Sequence, residues 1–175
     1  MSIFKKLFGK KTGKPKQVFL HEDKSQQKIN LQNKAIATAG KIEFYYFENE
    51  NIGLKRTLFH TITVPFKPFD SGLEYEAQPV ETELVIEWLN LDLLDPTDLD
   101  GVKLSLISED KTEASIYIGY AHNPCDIKKL SIQKIEGNIF ELECRLFVNF
   151  EFEGVASGEE LYFKTQVELN PQIRE

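Results

Sequence analysis

Between residues 140 and 152 every even position is apolar: Phe140, Leu142, Cys144, Leu146, Val148, Phe150 and Phe152. The odd positions between them read Glu141, Glu143, Arg145, Phe147, Asn149 and Glu151. Side chains alternate between the faces of a strand, so this period predicts one long strand with a buried side and a mostly polar side. A helix would scatter the same residues around its axis. Leu161, Phe163, Thr165, Val167 and Leu169 return with the same period after glycines at 154 and 158. The two runs are expected to pair, with Phe152 facing Leu161, Phe150 facing Phe163, Leu146 facing Val167 and Arg145 facing Glu168, or with that register shifted by two residues.

Upstream, residues 42–47 and 54–64 are rich in β-formers and flank an Asn-Glu-Asn-Ile-Gly turn, which predicts a hairpin. A short strand is expected over 29–31. Pro65, Pro68, Ser71, Gly72 and Pro79 bracket a loop whose Phe66, Phe69, Leu73 and Tyr75 should cap one end of the core. Val80, Thr82, Leu84, Ile86 and Trp88 alternate, and then the phase slips, because Leu89, Leu91 and Leu93 are the apolar ones. A one-residue slip inside a strand marks a β-bulge. Asp95 to Gly101 reads as one helical turn, with Asp95 as N-cap, Pro96 first and Gly101 as the stop. Alternation resumes over 102–106 and 114–120, and Glu136-Gly137-Asn138 suits a hairpin loop before the long strand. The expected fold is all-β with little helix: an antiparallel β-sandwich or partly open barrel of about eight strands.

Composition fits that reading. Of 175 residues, 41% are hydrophobic and 13 are Phe, enough for one domain with a packed core. Charge adds an asymmetry. Residues 1–16 hold six lysines and no acid, so the other 159 residues carry 15 basic and 28 acidic side chains, a net of −13. We therefore expect a lysine-rich arm over 1–16 and a single β domain over 17–175. An acidic body repels phosphate backbones and suits a basic protein partner instead of nucleic acid. In the arm, Phe4, Lys5, Lys6, Leu7, Phe8, Lys10 and Lys11 offer either contact with an anionic membrane or acidic partner, or only a solubilising terminus. With no apolar run approaching the roughly 20 residues of a bilayer span, the expectation is a cytoplasmic protein.

Candidate chemistry is sparse. His122-Asn123-Pro124-Cys125 brings a histidine near a cysteine, but zinc needs three or four ligands, and Pro124 and Asn123 together read as a turn. Cys125 as a nucleophile with His122 as its base lacks an oxyanion hole. Cys125 and Cys144 are expected as reduced thiols, with a bridge between them as the alternative. The Asp95–Gly101 stretch fails as a calcium loop, since Pro96 and Ile107 would fall where acids are needed. No cofactor motif is present. The outer side of the C-terminal hairpin carries Phe147 and Tyr162 among Glu141, Glu143, Glu151 and Glu168, aromatic anchors framed by steering carboxylates. Either these form a docking face for a basic partner, or another layer of the protein covers them.

The segments Gly119-Tyr120-Ala121-His122-Asn123-Pro124, Asn149-Phe150-Glu151-Phe152-Glu153-Gly154 and Glu160-Leu161-Tyr162-Phe163 resemble small bacterial all-β proteins of uncharacterised function, some of which act as immunity proteins beside secreted toxins. The resemblance covers the last third of the chain and implies no catalytic residue. It implies a non-enzymatic inhibitor that docks on a basic toxin or effector. The alternatives are a peripheral membrane protein using its basic arm, and a ligand-binding or enzymatic β-sandwich with its site near His122 and Trp88.

Overall fold

A computed structural model describes residues 27–105 and 112–173, with side chains as far as Asn170. The lysine-rich arm and Leu106 lie outside the described residues. Among the described residues eight strands form: β1 (Gly40–Asn49), β2 (Leu54–Pro65), β3 (Glu83–Leu89), β4 (Lys103–Ser105), β5 (Glu113–Ile118), β6 (Ala121–Glu136), β7 (Ile139–Val148) and β8 (Glu159–Ile173). One four-residue helix, α1 (Leu31–Lys34), stands where a strand over 29–31 was expected.

The strands do not make a sandwich. They run β6-β5-β3-β2-β1-β8-β7, and β7 pairs back onto β6, closing a seven-stranded barrel. A closed ring of purely antiparallel neighbours needs an even number of strands. With seven, one joint must be parallel, and it is β1 against β8, Gly40 facing Val167 and Ile42 facing Leu169. β6 pairs with β7 along one edge; its other edge takes β5 through residues 121–124 and β4 through 129–131.

Bulges supply the curvature that brings the two ends of the sheet together. One lies where β3 slips between Ile86 and Leu89 against Ile62 and His60 of β2. It is the slip read from the sequence, and Trp88 sits in it with a left-handed φ of 57°. Others interrupt β6 against β7 between Ile127 and Lys129 and between Lys134 and Glu136.

Inside the barrel Ile42, Ile62, Leu84, Ile116, Leu130 and Leu142 are fully buried, as are the alternating residues of β7. Both ends are covered. At one end lie residues 27–39, 66–82 and 149–158; Phe66, Phe69 and Leu73 cap the core there as expected, while Tyr75 is exposed. Ile29 and Leu31 are fully buried because the Glu159 carboxylate accepts the backbone N–H groups of Ile29, Asn30 and Leu31 at 2.6, 3.0 and 2.8 Å. At the other end residues 90–102 fold over the barrel, with Leu99 fully buried. His60 Nε2 lies 2.9 Å from the Pro96 carbonyl, tying that segment to β2. Asp95 caps there as read, its Oδ1 accepting from Thr97 N at 2.8 Å, but the result is a turn and not a helix.

The C-terminal hairpin departs from the expected register. Leu146 faces Leu161 and Phe140 faces Val167, six residues from the expected match, and Arg145 faces Tyr162 instead of Glu168. The strand stops at Val148, and a ten-residue connection follows, held by Gly154 N donating to Glu151 O and Val155 N to Phe150 O. Phe150 folds back into the core from this loop, and Phe152 is 73% exposed. A longer loop leaves fewer residues to pair, which moves the whole ladder.

Candidate functional site

The outward residues of β3, β5 and the start of β6 form three rows. Glu83, Tyr117 and His122 make the first, Val85, Ser115 and Pro124 the second, and Glu87 stands directly opposite Glu113 in the third. Together they line a groove of about 660 Å³ on the outside of the barrel. The Tyr117 and His122 rings stand 4.8 Å apart and steeply inclined. Among the described residues, no lysine or arginine lines the groove. Thr112 closes one side, its hydroxyl donating to the Glu87 carbonyl at 2.6 Å.

His122 to Cys125 is not a turn. The turn is at Gly119–Tyr120, and these four residues open β6. Pro124 is tolerated because its nitrogen faces the side where the β7 ladder runs out; its carbonyl accepts from Asn149 N at 2.8 Å. Asn123 is fully buried, its amide donating to the carbonyls of Ile116, Ile118 and Ala121, which stitches the β5–β6 hairpin. Residues three apart on a strand point to opposite faces, so His122 looks outward and the Cys125 thiol inward. Burial raises the Cys125 pKa and pushes Cys144 up to about 12, which keeps both as thiols. Both are free. Among the described residues no three ligating side chains converge as for a metal.

Trp88 lies at the far end of β3 from His122, so the two do not share a site. Its ring meets Phe47, Phe59 and Tyr45 edge-on at 5.0, 5.5 and 5.7 Å, an aromatic cluster on the outer side of β1–β3.

On β7 and β8 the structure places Glu141, Glu143 and Phe147, and Tyr162 and Glu168, on the outer face, with Glu151 in the loop beyond. Phe147 faces Glu160 and Tyr162 faces Arg145, which makes the two rings diagonal neighbours. The acids there have cations of their own. Glu143 lies 2.9 Å from Lys129 and 3.3 Å from Lys164, and Glu141 lies 3.8 Å from Lys164. The hydrogen bond from Lys129, aided by Lys164, holds the Glu143 carboxyl below its ordinary value. Phe147 is half-buried, packed on Gly158, while Tyr162 is 41% exposed.

The groove glutamates escaped the sequence reading, which followed the apolar members of each run. Their signal is the complementary phase: Glu83, Val85 and Glu87 between Leu84 and Ile86, and Glu113, Ser115 and Tyr117 between Ala114 and Ile116. That β3 pairs with β5, past the whole of β4, is not encoded in either run. No family model, curated protein or solved structure matches the chain. The functional reading therefore rests on geometry and charge.

Proposed function

We propose that this protein is a non-enzymatic binding module whose acidic groove receives a basic protein partner. The observation that carries this reading is the lining of the groove, where Glu83, Glu87 and Glu113 share one outer face with Val85 and Tyr117. Tyr117 and Val85 give a partner apolar and aromatic surface, while the carboxylates steer its approach and fix its orientation. The acidic excess outside the arm extends that attraction and speeds encounter with a cationic protein at low salt. A basic toxin or effector has this chemistry, and three segments resemble small bacterial all-β proteins of uncharacterised function, some of which act as immunity proteins beside toxins, which is why a toxin is the partner chosen.

The test is calorimetric titration of the full chain with a lysine-rich, aromatic-containing peptide as probe. At about 0.5 kcal/mol for each exposed ion pair, Glu83→Gln/Glu87→Gln/Glu113→Gln should weaken binding about tenfold. Raising the salt from about 50 to 500 mM should weaken the wild type and leave the variant less affected. Equal affinity of the two chains at low salt would overturn the reading.

A further inference from the structure

We infer that segment 90–102 is an acid-released strap over one end of the barrel, latched by His60. The latch stands apart from the groove and uses a buried group that partner binding leaves idle.

His60 is fully buried, and its Nε2 meets the Pro96 carbonyl at 2.9 Å. A carbonyl only accepts, so Nε2 carries the proton of the neutral ring and Nδ1 holds a lone pair. Nδ1 is buried with no hydrogen-bond partner. A buried polar atom left unpaired is rare and calls for an explanation. The ring lies among apolar groups: Phe44 of β1 opposite it at 6.1 Å between centroids, and Leu89 of β3 on the other side. The charged groups of these elements are engaged or turned elsewhere. Glu43 lies 3.0 Å from Lys41, Glu87 lines the outer groove, and Tyr46 lies under Arg56. Glu48, Lys55 and Arg56 are exposed, as are Asp92, Asp95, Asp98 and Asp100 of the segment. The Thr97 hydroxyl and N–H hold the Asp95 carboxyl below its ordinary value, so it stays charged well into acid.

The segment is fastened unevenly. Its C-terminal end is tied to β6: Gly101 N donates to Ile132 O and Ile132 N to Val102 O, both at 3.0 Å, and Lys134 N donates to Asp100 Oδ1 at 2.8 Å. From Asn90 to Leu99 the other hydrogen bonds are local, Asp92 N to Asn90 Oδ1 and a turn over 95–99. Among the described residues, His60 makes the one hydrogen bond from the barrel to that stretch. Protonating the docked ring adds a second N–H at a nitrogen without a partner. Undocking lets water reach the ring, which then takes its proton at the ordinary 6.5. Burial holds the docked ring lower, outweighing the Pro96 and Leu89 carbonyls. Docking is therefore fully supported above pH 6.5 and weakens as pH falls from there toward the lowered value. Between pH 7.5 and 5 this linkage multiplies the undocked-to-docked ratio by at most about thirtyfold. Release uncovers Leu99, fully buried when docked, together with Leu91 and Leu93, which pack on the core.

Hydroxyl-radical footprinting of the full chain at pH 7.5 and pH 5 tests this, with the fully exposed Leu94 as internal standard. The Leu99-to-Leu94 modification ratio should rise at least about fivefold in acid, within the linkage limit. Leu142 and Leu146 of β7, fully buried inside the barrel, should stay unmodified. His60→Gln keeps a donor for the Pro96 carbonyl and has no titratable group, so its ratio should stay flat. No rise in the wild type, or an equal rise in His60→Gln, would overturn the strap. So would a matching rise at Leu142 and Leu146, which reports global unfolding. A second readout needs no variant: the His60 ring-proton shift should titrate over the same pH range as the Leu99 modification. A ring still neutral at a pH where Leu99 is already uncovered overturns the latch as well.

Discussion

Replacing Glu159 by Gln removes one charge and no volume, and the structure fixes what is lost. One carboxylate oxygen accepts from Ile29 N and Asn30 N at 2.6 and 3.0 Å, and the other accepts from Leu31 N at 2.8 Å. A glutamine keeps one acceptor and turns an NH₂ toward the third N–H. Bonds to an ionised acceptor contribute about 1.5–3 kcal/mol against about 0.5–1.5 for neutral ones, so the two retained bonds lose about 1 kcal/mol each. The orphaned N–H adds about 1–3 kcal/mol. Asn30 is exposed and water replaces part of this, which brings the expected loss to about 2–3 kcal/mol. That is a large share of the roughly 5–15 kcal/mol that holds a domain folded. The released segment would uncover Ile29 and Leu31, both fully buried. Urea unfolding measures the loss, and amide exchange at residues 29–31 should accelerate with it. Glu160→Gln is the control, since Glu160 is exposed and stands 3.9 Å from Arg145; it should change stability by less than about 0.5 kcal/mol. A Glu159→Gln chain as stable as that control, with unchanged exchange, would refute the reasoning.

His60 gives a pH dependence of definite sign. Burial lowers its pKa below the ordinary 6.5, outweighing the pull of the Pro96 and Leu89 carbonyls. Below pH 6.5 the unfolded chain binds the extra proton first, so stability is fully present above that pH and falls as pH drops toward the lowered value. His60→Gln should remove this component, and pH–stability curves of variant and wild type that stay parallel from pH 7.5 to 5 would contradict it. Gly158→Ala should destabilise by about 1–3 kcal/mol, because a Cβ there overlaps the Phe147 ring; an unchanged thermal midpoint would show that the ring yields freely. Cys125 and Cys144 should remain unreactive toward a thiol reagent at pH 8 until the chain is unfolded, since both are buried with raised pKa values. Rapid native labelling would show an opening of the barrel between β6 and β7.

Much of the strand content was legible because burial on one face writes itself as alternation. The run from Phe140 to Val148 and the phase slip beside Trp88 both read directly. Closure did not, because it depends on summed curvature and on β6 meeting β7 late in the chain, neither of which leaves a local period. The end of the long strand was misjudged for a related reason. Phe150 keeps the apolar phase but is buried from a loop, so alternation alone ran two to four residues past the last ladder pair at Val148. His122-Asn123-Pro124-Cys125 has turn chemistry yet sits in a strand, since Asn123 spends its amide on the hairpin backbone and Pro124 lies where no ladder donor is needed. Among candidate site residues, the acids and rings of β7–β8 were visible by their contrast with a strong apolar run. That Lys129 and Lys164 would neutralise them required the register.

The central claim, that the outer face of β3, β5 and early β6 receives a cationic partner, is tested most directly by mapping amide chemical shifts while a lysine-rich probe peptide is added. The account predicts that the perturbed amides cluster at Glu83, Glu87, Glu113 and Tyr117, with β7 and β8 largely silent. Perturbations centred on Glu141, Phe147 and Tyr162, or scattered without a focus, would contradict it.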